Sequence, residues 1–154
     1  MNEDERLKKI FDKKTVAVVG LSRDPSKYGH RVAAYLKSRG YRVIPINPQA
    51  DTIFGQKSYK SLLDVPEELR KTIEVVDIFR PSEGVPPIVE QAIRIKKEHG
   101  KLYAVWMQLE IVNKSAAELA RKAGLEVVMD KCMMIEHKRL KEGMIKETNF
   151  LSTQ

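Results

Sequence analysis

Residues that can hold a phosphate follow a short apolar run near the start of the chain. The run Val16–Val19 ends at Gly20, and Ser22, Arg23 and Lys27 come soon after it. A hydroxyl, a guanidinium and an ammonium group beside a glycine turn are typical of an anion site, especially where the segment leads into the positive N-terminal end of a helix. The sequence therefore predicts an anion-binding loop here. The alternative is a strand, loop and helix without a ligand, which many α/β proteins contain.

The glycines of this loop match the fingerprint of dinucleotide-binding proteins only in part. In G-x-G-x-x-G the second and third glycines would stand at Ser22 and Pro25, whereas the next glycine after Gly20 is Gly29. The acidic residue that would bind ribose hydroxyls is also missing at the end of the second strand, where Asn47 stands. These departures disfavour an NAD(P)-dependent Rossmann oxidoreductase, which is the alternative function.

Two further strand ends point to the same edge of the fold. Residues 41–46 form the second predicted strand and lead into Asn47-Pro48, and residues 73–79 form the third and lead into Arg80-Pro81. Because the carboxyl ends of parallel strands meet at one edge of a sheet, we expect Arg80 to face the crevice beside the first loop and to clamp a phosphate there. The alternative is a solvated surface arginine.

The fourth predicted strand ends at the single tryptophan. Residues 102–106 form this strand, and Gln108 follows shortly after Trp106. An indole at a strand end can stack on a ligand, and the alternative is that it caps the core. The sequence leaves both roles open for Trp106.

The order of strands and helices sets the fold class. Predicted strands at 16–19, 41–46, 73–79, 102–106 and 125–129 alternate with amphipathic helices. This alternation predicts one α/β domain of Rossmann-like type with three layers, whose five-stranded parallel sheet has the order 3-2-1-4-5. The domain spans residues 1–154 with its core at 11–140, and 141–154 show little periodicity and are expected to form a loosely ordered tail.

The amino-acid composition limits the classes of partner that this protein is expected to bind. The chain has 154 residues, and its 28 Lys and Arg exceed its 21 Asp and Glu to give a net charge of +7. The two signs are interleaved, which disfavours a nucleic-acid partner. No run approaches the roughly 18 apolar residues of a membrane helix, and the first residues lack a signal-peptide pattern, so we expect no membrane association and a cytoplasmic location. Besides a small-molecule ligand, a homodimer and an unidentified protein partner stay open.

Five short motifs in order resemble the small stand-alone coenzyme A-binding proteins, which are similar to the nucleotide-binding domain of the succinyl-CoA synthetase α subunit. The resemblance covers about residues 11–140 and implies the Rossmann-like fold and a coenzyme A or acyl-CoA ligand. The motifs are Val-Val-Gly-Leu-Ser-Arg-Asp-Pro at 18–25, Pro-Ile-Asn-Pro at 45–48, Val-Asp-Ile-Phe-Arg-Pro at 76–81, Val-Trp-Met-Gln at 105–108 and Asp-Lys-Cys at 130–132 with Glu136-His137.

The resemblance also implies which positions meet the ligand. Phosphate groups would lie at the first loop, the nucleotide and pantetheine at the next two strand ends, and the arm near the fourth. Arg23 is added to the predicted ligand-binding residues because its positive charge could meet a phosphate of coenzyme A. The positions are Gly20, Leu21, Ser22, Arg23, Lys27, Asn47, Pro48, Phe79, Arg80, Pro81, Trp106 and Gln108. One departure from the family pattern is Glu110, which stands where a glycine is expected and puts the shape of the pocket floor in question.

No catalytic constellation is visible in the sequence. There is no Ser-His-Asp order, no paired carboxylate motif and no metal-spaced Cys/His cluster, and the three histidines lie outside any setting like that of the synthetase's phosphorylated histidine. We therefore expect a binding module with no catalysis of its own, no catalytic residues and no metal site. Whether the chain is an enzyme stays open.

Cys132 is the single cysteine, which excludes an internal disulfide. One hypothesis places its thiol near the thiol end of the ligand, where it would form a mixed disulfide by exchange. The alternative is a buried, soft residue among Met129, Met133 and Met134.

Overall fold

A parallel sheet of five strands forms the centre of the fold. The computed structural model describes residues 1–152, with side chains as far as Gly143. The strands are β1 (Thr15–Val19), β2 (Arg42–Ile46), β3 (Thr52–Ile53), β4 (Gln56–Lys57), β5 (Val75–Ile78), β6 (Ala104–Met107) and β7 (Glu126–Val128). The helices are α1 (Glu3–Phe11), α2 (Tyr28–Ser38), α3 (Glu67–Arg70), α4 (Val85–His99), α5 (Lys114–Lys122) and α6 (Met133–Ser152). β3 and β4 form a separate antiparallel pair.

The α/β class and the five-stranded parallel sheet are confirmed, but the predicted strand order 3-2-1-4-5 is wrong. The sheet runs β2-β1-β5-β6-β7, which is 2-1-3-4-5 for the five predicted strands. The predicted order would make β5 an edge strand, with half of its backbone groups outside the ladder. All four of its side chains are buried, as in an interior parallel strand covered on both faces.

This order moves the switch point of the sheet. The chain passes from β1 to β2 on one side and then returns to β5 on the other, so that Val19 lies opposite both Ile46 and Ile78. In doubly wound sheets the ligand crevice lies where the winding reverses. That place is between the carboxyl ends of β1 and β5, which brings Gly20 next to Phe79.

Helices cover both faces of the sheet and bury two apolar clusters, so the predicted three layers are present. The apolar stripe of α2, with Val32, Ala33 and Leu36, packs on one face together with α1 and the start of α6. α4 and α5 pack on the other face. Each helix presents apolar residues at three- and four-residue spacing, which is the pattern of a helix buried on one side.

Residues 49–72 contain more structure than the turn, short helix and linker that the sequence predicts. The β3–β4 hairpin is followed by an isolated parallel bridge between Ile46 and Tyr59, then a 3₁₀ turn at Leu62–Asp64 and the short α3. α6 extends to Ser152, into the segment 141–154 that is expected from the sequence to be a loosely ordered tail. Residues 153 and 154 lie outside the described residues. Within residues 1–152, no helix is both long and apolar enough to cross a membrane.

One acidic side chain lies in the middle of the sheet. Asp77 of β5 is completely buried, and Gln108 Nε2 donates a hydrogen bond of 2.7 Å to its Oδ1. Asp77 Oδ2 and Gln108 Oε1 have no hydrogen-bond partner in the described part of the chain. Burial raises the pKa of Asp77 to about 8, and the hydrogen bond from Gln108 opposes this rise. The protonated acid is therefore the form that the folded protein holds at neutral pH.

We expect the stability of this protein to fall as the pH rises from about 5 to about 8. The Asp77 carboxyl ionises near its ordinary pKa of 3.8 in the unfolded chain but only near 8 in the folded one. Between these values the unfolded state has released a proton that the folded state keeps, which favours unfolding by up to several kcal/mol. Asp77→Asn mimics the protonated acid and should flatten this slope in urea unfolding measured at several pH values.

Asp4→Asn is the control for this titration. Its exposed carboxyl has a pKa held below 3.8 by the hydrogen bond from Arg139, so its removal should not change the slope between pH 5 and 8. An Asp77→Asn protein with the wild-type slope would show that Asp77 is not the group that titrates.

Candidate functional site

The end of β1 and the end of β5 touch each other at Gly20. A Cβ on Gly20 would lie 2.6 Å from the Phe79 carbonyl oxygen and 3.0 Å from Cδ of Arg80, closer than side-chain carbons approach such atoms. Gly20 also has φ +86°, a conformation that glycine adopts at little cost. Only glycine therefore allows these two loops to meet, and this contact fixes where Arg80 lies.

The loop after Gly20 is braced by its own side chains. Ser22 Oγ accepts from the Asp24 backbone N–H at 3.0 Å, and Asp24 Oδ1 accepts from both the backbone N–H and the hydroxyl of Ser26. The bonds from Ser26 lower the pKa of Asp24. Lys27 is the N-cap of α2, and none of the side chains that the structure describes caps that helix. The first turn of α2 has no acidic residue, so its free N–H groups suit an anion.

Asn47 joins the ends of β1 and β2. Its Nδ2 donates to the Leu21 carbonyl at 2.8 Å, and its Oδ1 accepts from the Gln49 backbone N–H at 2.7 Å. Leu21 is completely buried, so in this conformation it presents no surface to a ligand. Asn47 thus holds the first loop in place, and Pro48 next to it is exposed.

A depression of about 230 Å³ opens beside Gly20, between the ends of β1 and β2. We call it the polar depression, and it is lined by Val19, Gly20, Ile46, Pro48, Lys60, Ser61, Leu62, Arg80, Gly84, Ile88 and Gln91. Lys60 and Gln91 are absent from the residues predicted by sequence. Lys60 reaches the crevice because Tyr59 bridges to Ile46, a long-range pairing without a local sequence signal.

A second depression of about 310 Å³ lies on the other side of Arg80. We call it the apolar depression, and it is lined by Tyr28, Phe79, Arg80, Pro81, Gln108, Leu109, Glu110 and Ile111. Arg80 lines both depressions and separates them. The predicted residues Phe79, Pro81 and Gln108 therefore gather here, next to the loop that carries Gly20.

Trp106 is a predicted site residue whose side chain does not reach the carboxyl edge of the sheet. Its side chain is completely buried, its ring lies 5.5 Å from that of Phe11, and its Nε1 donates to the Lys131 carbonyl at 2.7 Å. The indole therefore has its contacts inside the core in this structure, in agreement with the alternative that Trp106 caps the core. Arg23 is exposed on the first loop and lines neither depression.

Cys132 lies under the apolar depression and not in it. It is 2% exposed, and the Tyr28 hydroxyl donates a hydrogen bond of 2.7 Å to its Sγ. Burial and this bond raise the pKa of Tyr28. Tyr28, which lines the depression, therefore separates the thiol from it, in agreement with the alternative that Cys132 is a buried core residue.

Glu110 stands where a glycine is expected, and its backbone adopts a conformation typical of glycine. Its φ is +67°, the left-handed conformation that a glycine would adopt there. Glu110 lines the apolar depression, so it adds a carboxylate there.

Comparison with known proteins finds relatives that match this chain over most of their own length. The chain is 33% identical to the uncharacterised protein YneT of Bacillus subtilis over 132 residues, which covers 85% of this chain and 91% of that one. A hypothetical protein from Pyrococcus horikoshii has a solved structure with a TM-score of 0.80 and 37% identity, covering 90% of this chain and 92% of that one. A Thermus thermophilus structure gives a TM-score of 0.78 at 36% identity, covering 91% and 99%.

Larger enzymes are also similar to this chain. The ADP-forming acetate–CoA ligase of Methanocaldococcus jannaschii is 39% identical over 88 residues, which is 57% of this chain and 12% of the enzyme. The α subunit of the Pyrococcus furiosus ligase II is 28% identical over 131 residues, 82% of this chain and 28% of the subunit. The chain thus spans only a small part of these enzymes.

The match to a sequence family covers most of the fold. Residues 14–138 match the family described as a CoA binding domain, from the residue before β1 to the early part of α6. The matched range contains the contact at Gly20, both depressions and the helix N-terminus described above. This chain belongs to the CoA binding domain family.

Proposed function

We propose that this domain binds coenzyme A or an acyl-CoA along the carboxyl edge of the sheet, with the nucleotide in the polar depression and the pantetheine arm in the apolar one. The observation that carries the proposal is the position of Arg80, which lines both depressions. Coenzyme A has the same division, since its charged phosphates stand next to a mainly neutral arm. The proposal assigns no reaction to the domain.

Charge on the nucleotide side supports this orientation. Lys60 and Arg80 line the polar depression, and the uncapped first turn of α2 begins beside Lys27. Coenzyme A carries a pyrophosphate and a 3′-phosphate, and hydrogen bonds between such groups and basic side chains are among the stronger ones in proteins. Asn47 adds no negative charge at the end of β2, where an acidic residue would repel a phosphorylated ribose.

The other half of the crevice suits the arm. Phe79, Pro81 and Ile111 supply apolar surface, and Tyr28 adds a partly polar ring, while the buried Gln108 lies beneath them with its Nε2 bonded to Asp77. Pantetheine has two amide groups on a short aliphatic chain, so it needs such a mixture of apolar contact and a few polar groups.

Titration calorimetry with coenzyme A, dephospho-coenzyme A, NAD and ATP in one buffer at fixed salt tests the proposal. We expect coenzyme A to bind most tightly and the dephospho form about tenfold more weakly, because one charge-assisted contact is lost. Tightest binding of NAD would instead support the oxidoreductase, and no binding of coenzyme A would refute the proposal.

Arg80→Ala and Lys60→Ala should each weaken coenzyme A binding about tenfold, and Lys27→Ala should weaken it by a smaller factor. All three side chains are exposed, so thermal unfolding should change little. Lys101→Ala is the matched control, since Lys101 precedes β6 and lies at the opposite edge of the sheet. Wild-type affinity in Arg80→Ala and Lys60→Ala would mean that the nucleotide lies elsewhere.

Thiol–disulfide exchange between Cys132 and coenzyme A is the finer hypothesis from the sequence. It requires the Tyr28 ring to move, because Cys132 is 2% exposed beneath it. Exchange therefore predicts a slow mass increase of one coenzyme A after incubation with oxidised coenzyme A, and a faster one in Tyr28→Ala. Cys132→Ser is the control. Absence of the adduct in a protein that demonstrably binds the ligand would refute the hypothesis.

A further inference from the structure

Glu110 is the charged residue at the outer rim of the apolar depression. Of the residues that line it, only Arg80 and Glu110 carry a full charge. The Glu110 side chain is exposed, and its carboxylate forms no ion pair with any residue whose side chain the structure describes. Its negative charge is therefore available to whatever occupies the depression.

Arg80 forms no ion pair with Glu110 in the part of the chain whose side chains are described. Its Cδ lies 3.0 Å from the position of a Cβ on Gly20, so its side chain extends towards the β1 end and the polar depression. A second carboxylate lies on the Glu110 side, because Asp130 Oδ1 accepts the Glu110 backbone N–H at 2.6 Å. Lys60 and Arg80 thus line the polar depression, whereas the carboxylates of Glu110 and Asp130 lie together at the outer rim of the apolar one.

The backbone at Glu110 is held in an unfavourable conformation by contacts on both sides. Asp130 binds its N–H, and the Ser82 hydroxyl lies 3.5 Å from its carbonyl oxygen while accepting from the Val112 N–H at 3.0 Å. A glutamate at φ +67° is strained where a glycine would be relaxed. The backbone conformation by itself therefore favours a glycine over a glutamate at this position.

We propose that Glu110 is a specificity residue that selects ligands with a neutral acyl end, such as acetyl-CoA, over ligands whose acyl group ends in a carboxylate, such as succinyl-CoA. The inference rests on the proposed function, since it requires the arm to lie in the apolar depression. There the acyl group follows the thiol end and reaches the rim at Leu109 and Glu110. A terminal carboxylate would then approach two negative charges, while a neutral acyl group would meet apolar surface.

Calorimetric titrations of the full chain with coenzyme A, acetyl-CoA and succinyl-CoA test this selection. We expect the wild type to bind acetyl-CoA about fivefold more tightly than succinyl-CoA. This ratio corresponds to the repulsion between one pair of like charges that lie close together in water. Glu110→Gln removes the charge and should reduce this ratio to about twofold or less. Raised salt should reduce the wild-type ratio in the same direction.

Two further variants complete the test. Glu83→Gln is the matched control, because Glu83 is an exposed carboxylate on the nearby turn at Ser82–Gly84 and lines neither depression. It should keep the wild-type ratio. Glu110→Gly should lose the selection as Glu110→Gln does, and should unfold at a temperature no lower than the wild type because it relieves the strained φ.

The outcomes separate this inference from the proposed function. Equal affinity of the wild type for acetyl-CoA and succinyl-CoA, or a selection that survives in both Glu110 variants, overturns the role of Glu110 while coenzyme A binding stands. Absence of coenzyme A binding overturns the proposed function and this inference with it.

Discussion

The contact between Gly20 and the Phe79 carbonyl is the constraint on which the rest of the site depends. It requires a residue without a Cβ at the end of β1, because any larger residue would be within 2.6 Å of that oxygen. The same segment packs the Phe79 ring on Gly29 in the first turn of α2, where a Cβ would lie 3.3 Å from the ring. Two glycines thus fix Phe79, and Arg80 next to it comes to lie between the two depressions.

Two pairs of polar side chains lie beneath the site, where the core buries them wholly or in part. Asp77 pairs with Gln108, and Tyr28 pairs with Cys132, in both cases through a bond of 2.7 Å. Buried polar groups in a low-dielectric interior are costly unless they are paired, so these pairs restrict how the strand ends and α2 can move. A neutral Asp77 supports this arrangement without placing a buried charge beneath the ligand crevice.

Relatives of two kinds share this domain. Some are about as long as this chain, and others are ligases of which the chain covers 12–28%. The part shared with the ligases amounts to 57–82% of this chain. The rim at Glu110 lies at the open end of the crevice, where a substitution changes the acyl end of the site without changing the sheet.

The sequence by itself determined where the strands of the sheet lie along the chain. Apolar runs placed each of the five strands to within two residues, and the motifs at the strand ends placed Gly20, Arg80 and Gln108 at the same edge of the sheet. These features are local, because a buried parallel strand requires apolar residues whichever strand lies beside it.

Only the tertiary structure decided which strands are neighbours and which side chains reach the crevice. The order 2-1-3-4-5, the bridge that brings Lys60 to Gly20 and the burial of Trp106 and Cys132 all depend on contacts between residues far apart in the chain. Such contacts leave little trace in local residue patterns. The left-handed backbone of Glu110 belongs to the same group, since Asp130 and Ser82 impose it from other parts of the fold.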